Sequence, residues 1–367
     1  MKKNIICLLT LLIIGVSCTS SSSKQPKSSE KKIKFSEIFF DSIHFTVPQT
    51  SYNIASGIIN DSIYCFDKVL DYLYSVSLDG KVGTKQMGFG NGKGEIPIKS
   101  PDLCYNKGKN SFVAFGTNND IYLYDVSNKK TSKIELKPCE ETMSYKKATS
   151  YTLWDEILLA SNDNNLYYNI LGDSEDVSLF DNEDYFGKGA ILMKIDLKKG
   201  TMTPVGNYPS FYNENRNKLR HLSHIYFDIN DKGDIYTSFQ ADSLIYHYDC
   251  EFNLKESFGY SASEMNTNYT DSGCGVEQVG NAFYKDTETV GYYYWMKYVD
   301  GYIFRSYRTS FDAAEDGLQV YEGSTLIADI KVPKNLKVIG KVGDYFVTEI
   351  FCDETNEKLG FCRFKLN

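Results

Sequence analysis

Positive charge and histidine are concentrated in one short segment of this sequence, Arg216 to His224, which reads RNKLRHLSH. The chain contains four histidines, and two of them, His221 and His224, lie in this segment. The guanidinium groups of Arg216 and Arg220 have a fork geometry that suits carboxylates. We therefore predict that Arg216, Arg220, His221 and His224 bind an anionic ligand, a carboxylate or an acidic peptide. The alternative is that these side chains pair with the surplus acidic residues of the protein itself.

No other pattern in the chain specifies a catalytic residue, a cofactor or a metal site, and we predict none. The nucleophile motif Gly-x-Ser-x-Gly does not occur. The glycine-rich segment Gly88–Pro97 departs from the dinucleotide fingerprint, because Lys93 or Glu95 stands where the third Gly is required. We interpret its glycines as allowing positive φ in a tight crossover. The aromatic run Tyr292–Met296 could stack on sugar rings, but strand alternation would bury half of it.

The N-terminus has the three-part layout of a secretory signal. A positive start is followed by an apolar run, Ile5–Val16, that is shorter than the about 20 residues a membrane-spanning helix needs. Small residues then precede Cys18. This order resembles the signals of bacterial lipoproteins, although Gly15 stands where they usually have Leu. The resemblance implies that residues 1–17 are a signal peptide and that Cys18 carries a lipid.

The segment from Cys18 to residue 34 is rich in Ser and Lys, so it buries too little surface to offset its chain entropy. We expect a disordered tether at 18–34 and one folded domain at 35–367. Surface-exported lipoproteins of Bacteroidetes resemble one another in an acidic stretch just after the cysteine, which this tether does not have. We therefore expect an outer-membrane lipoprotein on the periplasmic face.

The charge of the folded part excludes one class of partner. The whole chain has a net charge of −8, and the segment 1–34 contributes +6 through seven lysines and one glutamate, which leaves −14 for the remainder. Nucleic acid binding requires a basic surface. We predict a monomer that does not bind nucleic acid and whose partner is a protein, a peptide or an envelope glycan.

The elements that must position any site are strands. Short aromatic runs alternate with a period of two, as in Ile63–Phe66, Phe112–Phe115 and Ile235–Phe239, and long amphipathic helical windows are hard to find. A unit of strand, polar turn and strand recurs in the chain. Its copies are Leu73–Lys81, Ile121–Lys129, Ile191–Gly200, Leu244–Cys250 and a weaker one at Leu318–Gly323. The fold class is all-β.

The spacing of these copies indicates a β-propeller. Equivalent positions lie at 77, 125, 196, 249 and 322, so the successive spacings are 48, 71, 53 and 73. The short spacings fit one four-stranded blade of about 40–50 residues, and the long ones imply insertions within 162–188 and 260–289. A sixth blade can be assembled from the C-terminal segment Leu336–Leu366 and Ile43–Val47. We therefore predict six blades with the last one closed by the N-terminal strand.

Gly88–Pro97, followed by strand residues, resembles the glycine-rich link between blades in TolB-like six-bladed propeller lipoproteins of Bacteroidetes. The lipoprotein start and the overall length agree with this family. The resemblance implies the fold and an envelope location but no activity, because most of these lipoproteins have none assigned.

Two functions remain open at this point, since propellers host both binding proteins and enzymes. We favour a non-enzymatic binding or scaffold propeller. The alternative is an enzyme of the lyase, lactonase or glycosidase type that uses the mouth of the central channel. Histidines and carboxylates converging there at metal distance would favour the enzyme, and apolar side chains filling the channel would favour the scaffold.

The anchor leads to a first testable prediction. Replacing the lipid acceptor, Cys18→Ala, should release the protein from the membrane fraction or stall its processing, because the single lipid is the only hydrophobic anchor that the signal provides. Membrane fractionation with an intact-mass measurement checks this. A correctly cleaved variant that still sediments with membranes would contradict it.

Overall fold

The computed structural model describes residues 30–116, 120–138, 149–151, 157–173, 185–310 and 312–366. The predicted signal peptide and Cys18 lie outside these residues. The described chain starts with β1 (Glu30–Phe35) and β2 (Asp41–Phe45). None of its helices is long and apolar enough to span a bilayer.

The first two blades are four-stranded antiparallel sheets that follow chain order. Blade 1 contains β3 (Ile54–Ile59), β4 (Ser62–Asp67), β5 (Tyr72–Val76) and β6 (Val82–Phe89), with the short β7 (Glu95–Ile96) parallel to β6. Blade 2 contains β8 (Asp102–Asn106), β9 (Ser111–Phe115), β10 (Ile121–Asp125) and β11 (Lys130–Ile134), with a 3-10 turn at Lys107–Lys109 between β8 and β9.

The third blade carries the first insertion. The chain between blades 2 and 3 includes β12 (Lys137–Pro138), which pairs with the outer strand of blade 3, and β13 (Thr149–Tyr151). Blade 3 itself contains β14 (Leu159–Ser161), β15 (Asn165–Asn169), β17 (Ala190–Asp196) and β18 (Thr201–Asn207). Between β15 and β17 lie β16 (Leu171–Asp173), which pairs with β13, and α1 (Tyr185–Lys188).

Helices occur in the connections on either side of blade 4. Before it come α2 (Ser210–Glu214), α3 (Arg216–Leu219) and a 3-10 turn at Arg220–Leu222. Blade 4 contains β19 (Ile225–Ile229), β20 (Ile235–Phe239), β21 (Ile245–Tyr248) and β22 (Leu254–Phe258). After it comes α4 (Val276–Thr289).

The last two blades use both ends of the chain. Blade 5 contains β23 (Tyr292–Val299), β24 (Tyr302–Arg308), β25 (Glu315–Glu322) and β26 (Thr325–Pro333), and β1 pairs in parallel with β26. Blade 6 contains β27 (Val338–Val342), β28 (Tyr345–Thr348), β30 (Lys358–Phe364) and β2, with β29 (Phe351–Asp353) beside β30. The N-terminal strand β2 thus supplies the outer strand of the final blade, as predicted.

The six sheets form a closed ring. Each inner strand contacts the inner strand of the next blade, and β27 of blade 6 contacts β3 of blade 1. A hydrophobic cluster fills the space between neighbouring blades; Phe45, Ile63 and Phe361, for example, join blade 6 to blade 1. The prediction of a six-bladed propeller closed by the N-terminal strand is confirmed.

All five recurring hairpins join the third and fourth strands of a blade, which explains why their sequences repeat. In blades 2 and 3, the carboxylates of Asp125 and Asp196 each accept hydrogen bonds from the two backbone N–H groups that follow in the turn. These bonds, led by the N–H of Asn128 and of Lys199, lower the pKa of each Asp below its usual value. The side chain therefore specifies the turn, and the turn specifies the register of the hairpin.

The two long spacings correspond to insertions, as expected. One is the connection between β15 and β17, and the other is the segment 259–291 between blades 4 and 5. The second contains α4, a helix that the sequence analysis did not find, because only Val279, Ala282 and Asp286 of its 14 residues are buried. In the glycine-rich link, Gly90 and Gly94 have φ of 143° and 84°, so the expected positive φ is present there.

The predicted tether, 18–34, overlaps the described chain at residues 30–34. These residues form most of β1, so this part of the prediction is wrong. Five of the six side chains of β1 are exposed, so its residue composition does not indicate a strand. The strand is held in place by backbone pairing with β26. Glu30 pairs with Thr325, directly after the turn that joins β25 to β26.

Connections alternate between the two faces of the ring because neighbouring strands are antiparallel. We call one the turn face; it carries the hairpin turns between first and second strands, such as 230–234 and 300–301, and those between third and fourth strands. We call the other the loop face; it carries the connections between blades, such as 208–224 and 259–291, and those between second and third strands, such as 240–244.

Ring closure provides a second testable prediction. Phe45 of β2 is 6% exposed, whereas Phe39, a few residues earlier, is 83% exposed. Phe45→Ala should lower the free energy of unfolding by about 3 kcal/mol or more, as expected for truncation of a buried Phe. Phe39→Ala is the matched control and should change little. Urea denaturation measures both, and equal losses would contradict the proposed role of β2.

Candidate functional site

A cavity of about 240 Å³ opens on the loop face where blades 4, 5 and 6 meet. Its wall combines the end of the connection before blade 4, the helix α4 and the first residues of β23. This volume is below the roughly 300–1,000 Å³ of typical small-molecule pockets, so the cavity is a small one.

The predicted segment is held in place by aromatic packing. After β18 the chain folds through α2 and α3, and Tyr208 and Tyr212 are buried against Phe186 and Phe239. The hydroxyl of Tyr212 donates to the carbonyl of Leu222 at 2.6 Å, and that of Tyr208 donates to the carbonyl of Ser223 at 2.8 Å. These bonds fix the short turn that leads into β19.

The four predicted binding residues occupy different environments. His221 and His224 line the cavity. Arg220 is completely buried, and Arg216 lies half-buried on α3; neither is among the described lining residues. The structure thus brings the two histidines of the segment together at the cavity and leaves its two arginines outside the wall.

His221 forms a buried pair with Asp286 of α4. Its Nε2 lies 2.7 Å from Asp286 Oδ2, and Asp286 also accepts hydrogen bonds from the backbone N–H and the hydroxyl of Thr270. Burial lowers the pKa of His221, and the Asp286 carboxylate opposes this effect only in part. The ring is therefore neutral at pH 7, with Nε2 donating to the carboxylate, and Nδ1 is an acceptor without a partner among the described residues.

Two cations that the sequence analysis missed also line the cavity, Arg308 and Lys337. Arg308 donates hydrogen bonds to neutral acceptors, the hydroxyl of Tyr292 at 3.1 Å and the side-chain carbonyl of Asn335. Its Nε lies 3.8 Å from Asp316, and Lys337 Nζ lies 3.9 Å from Glu349. Both distances are longer than a hydrogen bond but lie within ion-pair range, so each of these cations has a carboxylate partner.

Gln240 supplies a further donor. This residue is 8% exposed and lines the cavity. Its Oε1 accepts a hydrogen bond from the backbone N–H of His224 at 3.1 Å, which fixes the orientation of the amide. Its Nε2 has no hydrogen-bond partner among the described residues, so both N–H groups are available to a ligand.

A buried arginine supports the loop that carries Gln240. Arg305 of β24 is completely buried and lies 3.2 Å from the centre of the Tyr293 ring. Its guanidinium donates to the Ser238 hydroxyl at 2.8 Å, to the Ser243 carbonyl at 2.7 Å and to the Asp242 carbonyl. Blade 5 thereby holds the loop between β20 and β21 of blade 4.

The aromatic run at the start of β23 divides as strand alternation requires. Tyr292 and Tyr294 line the cavity, whereas Tyr293 is completely buried. Tyr226 and Phe283 add further rings to the wall. The site therefore combines aromatic surfaces with two cations and an amide donor, which suits a ligand that has an anionic group on an apolar body.

A second cavity follows the ring axis. It measures about 690 Å³ and touches the inner strand of every blade. Much of its wall is apolar, including Ile58, Leu103, Leu159, Phe227, Met296 and Ile339. Lys297 of this wall lies 3.2 Å from Asp228. Within the described ranges, no three His, Cys, Asp or Glu side chains are arranged to hold a metal ion.

Six four-stranded blades closed by an N-terminal strand place this protein in the class of six-bladed β-propellers, with a candidate binding cavity on its loop face. No protein-family model and no curated protein matches the chain.

Solved structures similar to this chain show the same architecture. One is a member of the DUF4221 family from Bacteroides vulgatus, with a TM-score of 0.62 and 12% identity, covering 90% of this chain and 98% of that one. Another is a Bacteroides fragilis protein described provisionally as exported, with a TM-score of 0.56 and 12% identity, covering 92% and 99%. At this identity, the likeness shows the fold alone.

The His221–Asp286 pair leads to a third testable prediction. Unfolding restores the pKa of His221 to about 6.5, so below this pH the unfolded chain binds more protons than the folded one. The free energy of unfolding should therefore fall as the pH drops below 6.5, by about 1.4 kcal/mol for each unit by which folding lowers the pKa.

Thermal unfolding at pH 7.5 and 5.5 measures this effect. His221→Asn should reduce the difference in Tm between the two pH values, and His44→Asn, at an exposed position of β2, is the matched control. An unchanged difference in the His221 variant would contradict a lowered pKa.

Proposed function

We propose that this protein is a non-enzymatic binding propeller whose loop-face cavity holds a carboxylate group of a protein, peptide or envelope glycan. The observation that carries the proposal is the convergence of Arg308, Lys337 and the Gln240 amide on one aromatic-walled cavity. Charged donors in a partly desolvated site bind carboxylates with charge-assisted hydrogen bonds, which contribute about 1.5–3 kcal/mol each.

In this proposal the four residues predicted from the sequence have different roles from those expected. His221 and His224 form the wall beside the cations, and Arg308 assumes the carboxylate-binding role first assigned to Arg216 and Arg220. Arg216 and Arg220 lie outside the wall and would contribute by adding positive potential to the segment that carries the histidines.

The proposed location is the periplasmic face of the outer membrane, with the chain held by a lipid on Cys18 and acting as a monomer. The signal layout supports export and anchoring, and the exported character given to one similar Bacteroides protein is consistent with it. The TolB-like lipoprotein resemblance supports the same compartment. The charge of −14 on the part of the chain after Lys34 supports a partner other than nucleic acid.

One observation favours an enzyme as the second candidate. A neutral imidazole held by a carboxylate, as in His221–Asp286, is an arrangement that general bases use. Turnover by such an enzyme would be lost in His221→Asn, whereas a binding protein would leave its ligand chemically unchanged.

The carboxylate site provides a fourth testable prediction. Benzoate, D-glucuronate and N-acetyl-L-phenylalanine would be titrated by calorimetry against the corresponding uncharged amides. At least one acid should bind at least tenfold more tightly than its amide, since losing a charge-assisted bond costs about 1.5 kcal/mol or more.

The double variant Arg308→Gln/Lys337→Gln should weaken that binding at least tenfold. Lys341→Gln/Lys365→Gln removes the same charge from the turn face, where these lysines pair with Asp300 and Asp344, and should leave it unchanged. If acids and amides bind alike, or if none of the acids binds, the cavity is not a carboxylate site.

A further inference from the structure

We infer that the loop-face cavity takes the C-terminal residue of a peptide chain that ends in an apolar or aromatic side chain. This inference rests on the proposed carboxylate site and specifies its ligand. Three properties of the cavity carry it: its size, its balance of donors and acceptors, and the position of Gln240.

The size of the cavity limits what can enter. Pockets that enclose whole small molecules usually measure roughly 300 Å³ or more. The loop-face cavity, at about 240 Å³, is smaller than this. In the inferred complex one residue occupies the cavity, and the chain before it lies outside, over the loop face. A free chain end can enter such a cavity with a single segment of backbone.

The polar groups of the wall distinguish a peptide from an acidic sugar. Arg308, Lys337 and the Gln240 amide are all donors. Two of the acceptors are engaged: Asp286 accepts three hydrogen bonds, and Gln240 Oε1 accepts one from His224. His221 Nδ1 has no partner among the described residues and can accept one N–H. A sugar acid would bring several hydroxyl donors into this site, and each buried donor without an acceptor costs about 1–3 kcal/mol. A peptide C-terminus brings a carboxylate and one N–H.

Gln240 also matches the backbone of a peptide. In the inferred complex, the terminal carboxylate is bound by Arg308 and Lys337, and a peptide carbonyl accepts from Gln240 Nε2. The side chain packs on the rings of Tyr226, Tyr292 and Phe283, which an acidic Asp or Glu side chain could not use, because its stem is too short to cover them. The ligand class is therefore a C-terminal apolar residue.

The experiment uses the folded protein and four probes: acetyl-Gly-Phe with a free carboxylate, the same peptide amidated, acetyl-Gly-Glu amide, and D-glucuronate. Calorimetry should show that acetyl-Gly-Phe acid binds at least tenfold more tightly than each of the other three. Because this comparison uses only the wild-type protein, it does not depend on the stability of a variant.

Gln240→Glu tests the amide directly. The new carboxylate keeps the acceptor for the His224 N–H but replaces the donor with a negative charge, so binding of acetyl-Gly-Phe acid should weaken at least tenfold. Gln278→Glu makes the same change at an exposed position of α4, outside the cavity, and should leave binding unchanged.

Different results would overturn the carboxylate site and the C-terminal inference. If D-glucuronate or acetyl-Gly-Glu amide binds as tightly as acetyl-Gly-Phe acid, and Arg308→Gln weakens it, the C-terminal inference is overturned and the carboxylate site stands. If none of the charged probes binds, both are overturned. Equal binding of wild type and Gln240→Glu overturns the role of the amide and with it the inferred pose.

Discussion

Closure of the ring by β2 is the constraint on which the rest of this structure depends. Each sheet buries its faces against its two neighbours, so an open ring would expose two sheet faces at once. The chain solves this without a covalent bond, by pairing β2 with β30 over five successive residues and by packing Phe45 between blades 6 and 1. Because the candidate cavity draws on three blades, its geometry exists only in the closed ring.

Buried polar groups around the cavity are paired with partners from the protein, except for two atoms. The buried guanidinium of Arg305 and the carboxylate of Asp286 are each satisfied by several partners from the protein. Two buried atoms of residues in the cavity wall, His221 Nδ1 and Arg308 Nε, have no hydrogen-bond partner among the described residues. A buried polar atom without a partner costs free energy, so a ligand group that paired with either atom would stabilise the wall.

The sequence allowed most of the fold to be predicted, because the Asp-centred turns repeat and mark one hairpin in each of five blades. It also identified the segment that carries His221 and His224. Arg308, Lys337 and Gln240 could not be found in this way, since they come from three blades and only the ring brings them together. Strand β1 was missed for a different reason. Its backbone is paired but most of its side chains are exposed, so no hydrophobic pattern in the sequence indicates a strand there.

The parallel pairing of β1 with β26 has a mechanical consequence. Glu30 enters the fold on the turn face, opposite the cavity, and the strand runs from there toward the loop face. Tension on the chain before residue 30 would act along the axis of β1. The hydrogen bonds between β1 and β26 would then be stretched together and not one at a time. The closing strand β2 follows β1 in the chain, so the force would reach β2 and the ring closure only after β1 had separated from β26.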